Sequence, residues 1–192
     1  MNTTRTVDIS QVFGQSPQVL AEILQDGVNL AAWQRRLPAQ VEDFSTVLLS
    51  LDPLLADERV LDVDERHPPQ LPGLLPGAAD LHGYESFVAD VAWLVAAYTC
   101  LLGARRIGLR LRVLEGAMCP RFHVDKVPLR LLTTYTGAGS EWLKEEAIDR
   151  GQLQPLSRLW ITFSACRPVR LQYSRARSGW AMKGQGWCTA HR

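Results

Sequence analysis

With 192 residues, 46% of them apolar and 21% charged, and a formal net charge of +1, the chain has the size and composition of one soluble domain with a sizeable core. Near-neutral charge excludes a global field that would draw the protein to nucleic acid or to an anionic membrane. The four cysteines form no CxxC pair, and the N-terminal MNTTRTVDIS has no basic start followed by an apolar run. A cytoplasmic location without disulfides is therefore the expectation.

In chain order, SPQVLAEILQDG reads as a helix with Ser16 as N-cap and Pro17 at the first helical position, ended by Asp26-Gly27. VNLAAWQRRL reads as a short strand running into a turn. PAQVEDFSTVLLSL is helical by period, with Val41, Phe44, Val47 and Leu48 on one face. Residues 52–78 are rich in proline and charge and predict a loop with little regular structure; His67 there is expected to be solvated. Asp80 is the expected cap of a long helix whose apolar face runs from Tyr84 to Leu102 and which ends near Gly103. His82 is placed in its first turn, on the surface. This run is too short, and Asp90 too central, for a spanning helix, which needs about 20 apolar residues.

The period then changes. RRIGLRLRVLEG alternates, with Ile107, Leu109, Leu111 and Val113 on one face and Arg106, Arg110 and Arg112 on the other, which predicts a half-buried strand. Further strands are expected at RFHVD and LRLLTTYT. A hairpin turn is expected at Gly137-Ala138-Gly139 and a short helix or capping loop at EWLKEEAIDRG, with Trp142 in the core. The order of elements predicts an α+β protein. Residues 1–104 are expected to be the mainly helical part of a single domain and 105–192 the β-rich part.

The chemistry-bearing feature is His123-Val124-Asp125. On a strand, residues i and i+2 stand on one face, roughly 6.5–7 Å apart along the backbone. An imidazole and a carboxylate so placed can take adjacent positions on a metal, and a second histidine completes the facial triad of non-haem Fe(II) oxygenases. His191 is the sole histidine after Asp125 and so the one candidate for that place. An ordinary hydrogen-bonded His–Asp pair is the competing reading. Cys119 and Cys188 flank the same segments and open a third, a zinc site with thiolate and imidazole ligands. A scaffold without catalysis is the fourth.

CPRFHVDKVPLRLLTTYTGAGSEWL, together with GVNLAAWQRRLP near the N-terminus and MKGQGW…HR near the C-terminus, resembles a bacterial family catalogued as a domain of unknown function. The core of that family resembles the His-x-Asp…His region of prolyl-hydroxylase-like, 2-oxoglutarate-dependent oxygenases. The resemblance implies N-terminal helices packed on a double-stranded β-helix (jelly-roll or cupin-like) barrel. It implies iron at His123, Asp125 and His191, with 2-oxoglutarate as co-substrate. Tyr135, or an arginine, would orient the co-substrate, with Arg130 and Arg112 as the arginine candidates on neighbouring strands. Family genes lie near zinc-responsive genes, including metal-chaperone GTPases, which implies zinc as the alternative metal and such a GTPase as a partner beside the substrate. No nucleic acid or membrane partner is expected.

Residues 151–192 depart from the family pattern. Every Asp and Glu lies at or before Asp149, and the chain stops at Arg192, where family members continue into a final apolar strand. Two explanations stand: an altered reading frame with a barrel lacking its last strand, or a basic surface for an anionic partner.

Overall fold

The computed structural model describes residues 9–64, 66–114, 123–124, 127–145, 154–155, 179–183 and 189–191. The chain opens with strand β1 (Ser10–Gly14), an eight-residue 3₁₀ helix (Pro17–Leu24) and strand β2 (Val28–Trp33). The buried side chains of the 3₁₀ helix, Leu20 and Ile23, are three residues apart, which places them one above the other on a three-fold helix. Ser16 is its N-cap residue, as expected, but makes no side-chain capping bond; its hydroxyl meets the Gln18 side chain instead. β1 and β2 pair in parallel, with a bulge between Ser10 and Gln11.

Helix α1 (Ala39–Leu51) buries Val41, Phe44, Ser45 and Leu48. Val47, expected on that face, is exposed. Six residues beyond Val41, it is rotated by about 240° from it on an α-helix.

The expected loop at 52–78 contains strand β3 (Ala56–Asp62), a correction to the sequence reading. β3 pairs antiparallel with β4 (Arg106–Arg112) over its whole length. Its sequence ADERVLD hides the strand because charged residues hold it. Glu58 pairs with Arg110 and Arg112 across the ladder, and Asp62 with Arg106. His67 is exposed, as predicted, with its Nδ1 2.8 Å from Asp64 Oδ2. The Arg66 backbone N–H and the His67 side chain hold the Asp64 carboxyl below its ordinary range.

Helix α2 (Tyr84–Leu102) starts later than expected: its N-cap is Gly83, not Asp80, and His82 lies just before it, exposed. Gly83 has φ +87°, and a Cβ there would stand 2.5 Å from the Gln40 carbonyl oxygen, so α1 and α2 cross closely because this residue has no side chain. Gly103 ends the helix at φ +58°, as predicted. Contrary to the sequence reading, α2 is long and apolar enough to cross a membrane by length and composition, but one of its faces, with Phe87, Val91, Leu94, Val95 and Tyr98, lies in the core.

The remaining strands are β5 (His123–Val124), β6 (Leu129–Leu132), β7 (Ser140–Trp142), β8 (Gln154–Pro155), β9 (Gly179–Lys183) and β10 (Thr189–His191). The main sheet has the order β1-β2-β9-β6, with β9 antiparallel to both neighbours. β7 pairs antiparallel with β10, and β5 in parallel with β8. The expected hairpin at Gly137 is corrected: the chain turns there, with Gly137 at φ +82°, but β6 and β7 belong to different sheets. EWLKEEAIDRG begins inside β7 and turns helical at Glu145; its residues 146–151 lie outside the described residues.

This is an α+β fold. The helices cover one face of the main sheet, where Ala31, Leu129 and Leu131 join Phe44, Phe87 and Leu94 in the larger core. On the other face Leu30, Ala32 and Leu132 pack against Trp142 of β7. Trp142 is therefore in the core, as predicted. Among the described residues the strands form these separate sheets and no closed barrel.

Candidate functional site

His123 lies on β5 and His191 on β10, and the backbones of these two strands approach with Cα atoms within 8 Å. His191 stands opposite Ser140 of β7 in the antiparallel ladder, and His123 opposite Gln154 of β8. Residues far apart in sequence are thus carried on neighbouring strands. Asp125, Cys119 and Cys188 lie outside the described residues, as do the side chains of His123 and His191. Among the described residues no group of three or more His, Cys, Asp or Glu is gathered for a metal.

Arg130 is buried on β6. Strand alternation puts it on the same face as Leu132, and it also lines a cavity together with Tyr98 and Leu102 of α2. Tyr135 follows the end of β6 and packs on Phe87, with ring centroids 4.6 Å apart. Arg112, the other arginine considered for the co-substrate, is exposed at the end of β4 and paired with Glu58.

The best-defined polar constellation was not singled out by sequence. Arg35 makes a two-pronged bond to Asp90, Nη1 to Oδ1 at 2.6 Å and Nη2 to Oδ2 at 2.9 Å. Arg35 Nη2 also donates to Thr133 Oγ1 at 3.0 Å, and Tyr135 Oη donates to Asp90 Oδ2 at 2.6 Å. The guanidinium carbon lies 5.3 Å from the ring centroid of Trp33 and 5.8 Å from that of Tyr135. Trp33 in turn packs on Trp93.

Three elements supply this cluster. Arg35 follows β2, Asp90 projects from α2, and Thr133 and Tyr135 follow β6. Two signals in the sequence could have marked it: Arg35 lies within the WQRRL stretch, and Asp90 is an acid in the middle of an apolar helix. Burial works against the Arg35 charge, but the hydrogen bond and charge of Asp90 more than offset it and raise its pKa. Burial, and then the Asp90 charge, push the Tyr135 phenol well above its ordinary range. Tyr135 is therefore a neutral hydroxyl whose only proton is given to Asp90.

The chain also ties residues 143–145 to the start of the main sheet. Gln11 Nε2 donates to the Leu143 carbonyl and Asn29 Nδ2 to Glu145 Oε2, each at 3.0 Å. The segments that resemble family motifs, GVNLAAWQRRLP and LRLLTTYTGAGSEWL, are joined through the Arg35–Thr133 hydrogen bond as well as through one sheet.

No curated protein and no solved structure matches this chain. A family model described as a protein of unknown function, DUF1826, matches residues 14–192. The match takes in β2, α2, β6, β7 and β10 and every residue of the Arg35–Asp90–Tyr135 cluster. The chain belongs to the DUF1826 family.

Proposed function

We propose that the protein is a metal-dependent oxygenase of the Fe(II)/2-oxoglutarate type, built on a jelly-roll-like pair of sheets. His123, Asp125 and His191 would hold the metal as two imidazoles and one carboxylate, which leaves three positions of an octahedral ion open. The observation that carries this reading is the approach of β5 to β10, with Cα atoms within 8 Å, since it brings the backbones bearing His123 and His191 together. The packing of Trp142 on Leu30, Ala32 and Leu132 supports the architecture, because it lays β7 and β10 over the main sheet.

Iron bound there would supply the oxidative chemistry. The chain's own part is ligation, positioning and charge. Arg130 would pair with the co-substrate carboxylate: it is a buried guanidinium on β6. Tyr135, held by Asp90 and Phe87 of α2, would fix the segment that follows β6. A partner GTPase that handles metal fits a metalloprotein of this kind and follows from the family resemblance alone.

The test of the co-substrate is anaerobic addition of 2-oxoglutarate to the Fe(II)-loaded protein, followed by visible absorption. A saturable new band, with 2-oxoglutarate affinity at least tenfold weaker in Arg130→Met and Fe(II) affinity retained, is the expected result. Bound iron whose spectrum 2-oxoglutarate leaves unchanged would remove this co-substrate from the proposal.

A further inference from the structure

On the outward face of the β3–β4 ribbon the side chains come in rungs. Asp62 stands opposite Arg106, Val60 opposite Gly108, and Glu58 opposite Arg110. The outer two rungs are ion pairs, Arg106–Asp62 at 3.5 Å and Arg110–Glu58 at 2.7 Å. The middle rung has no side chain on β4, and an added Cβ at Gly108 would meet nothing within 4 Å. The ribbon therefore has a gap in the middle of its charged face.

That gap belongs to a cavity of about 520 Å³, within the ~300–1,000 Å³ usual for small-molecule sites. Val60, Leu102, Val127 and Pro128 make its walls apolar, and Val60 and Leu102 are among the exposed large apolar residues of the protein. A soluble surface gains by covering such residues with an apolar ligand group. At one end stands Arg110, buried although its neighbours on that face are not. Burial first, and then the nearby charges of Arg112 and Arg130, lower its pKa, with Glu58 acting the other way. A guanidinium has five N–H donors and can hold more than one acceptor, and Arg130 lines the same cavity.

We infer that this cavity is a binding site for an amphiphilic organic anion, with its apolar chain in the gap over Gly108 and its carboxylate at Arg110. The class follows from the walls: apolar surface from Val60, Leu102, Val127 and Pro128, an excess of arginines over the one acid, Glu58, and room for a chain of several carbons. The assignment rests on the ribbon and the cavity walls and not on the proposed metal ligands; Arg130, given to the co-substrate above, is shared with this cavity.

The probe is octanoate, titrated into the full-length protein and followed by the backbone amide signals of Gly108 and Leu102 in ¹H–¹⁵N spectra. 1-Octanol and octyltrimethylammonium serve as neutral and cationic controls. Saturable shifts at both amides are expected with octanoate, with at least tenfold weaker binding of either control. Gly108→Phe fills the gap, and it suits a strand better than glycine does. It should weaken octanoate binding at least tenfold while the protein stays folded. Arg110→Met should weaken octanoate at least tenfold and leave 1-octanol unchanged. Octanoate that does not saturate, that binds Gly108→Phe as well as wild type, or that binds no better than 1-octanol would overturn the assignment.

Discussion

Tyr135 Oη lies 2.6 Å from Asp90 Oδ2, on the carboxylate that also receives both prongs of the Arg35 guanidinium. One acid from the centre of α2 thus fixes the segment after β2 and the segment after β6. Because Arg35 is almost wholly buried, Asp90 is what makes its charge tolerable there.

Removing Asp90 alone should be costly. Asp90→Leu leaves Arg35 buried without its counter-charge, and a loss of about 3–5 kcal/mol is expected in urea unfolding. The double variant Arg35→Met/Asp90→Leu should recover much of that loss, since neither charge then remains. A double variant as unstable as the single one would mean that Asp90 acts mainly through Tyr135.

Tyr135→Phe keeps the ring on Phe87 and removes only the hydroxyl. The lost bond is to a charged acceptor, so a destabilisation of about 1.5–3 kcal/mol is expected by chemical unfolding. A change within error would show that water replaces the hydroxyl at no cost.

Alkaline pH should destabilise the fold through Tyr98 as well as Tyr135. Burial pushes the Tyr98 phenol up to about 12, while its hydroxyl donates to the Leu129 carbonyl at 2.7 Å. A group with a raised folded pKa contributes stability that is complete below its unfolded value near 10. That contribution is lost as pH rises toward 12, at about 1.4 kcal/mol per pH unit per group. Unfolding midpoints measured from pH 8 to 11.5 should fall above pH 10, and Tyr98→Phe should flatten part of that fall.

Glycine replacements separate two kinds of site. Gly83→Ala should cost about 2 kcal/mol or more, because its φ is +87° and its Cβ would collide with the Gln40 carbonyl. Gly108→Val, on an open stretch of strand, should be neutral or stabilising. Thermal unfolding of the two variants decides this directly.

Much of the fold could be read locally. The alternation of Ile107, Leu109 and Leu111 marks β4, and the apolar face from Phe87 to Tyr98 marks α2. β3 was hidden because its partners are charges on another strand, Glu58 for Arg110 and Arg112, and local pattern cannot see across a ladder. The place of β2 was hidden for the same reason: its antiparallel neighbour β9 comes from the far end of the chain. The candidate site divides in the same way. His123 and Asp125 are legible by their spacing, whereas Arg35, Asp90 and Tyr135 are separated by 55 and 45 residues and are joined only by folding.

The most direct measurement is Fe(II) binding under anaerobic conditions, on protein purified without a metal-binding tag, in wild type and in His123→Ala, Asp125→Ala and His191→Ala. The account predicts one iron per chain in the wild type and its loss in each variant, with Cys119→Ala unaffected. Iron retained by the His123 and Asp125 variants would contradict it, as would the absence of any specific metal. Tight zinc that requires Cys119 would assign the site to zinc instead.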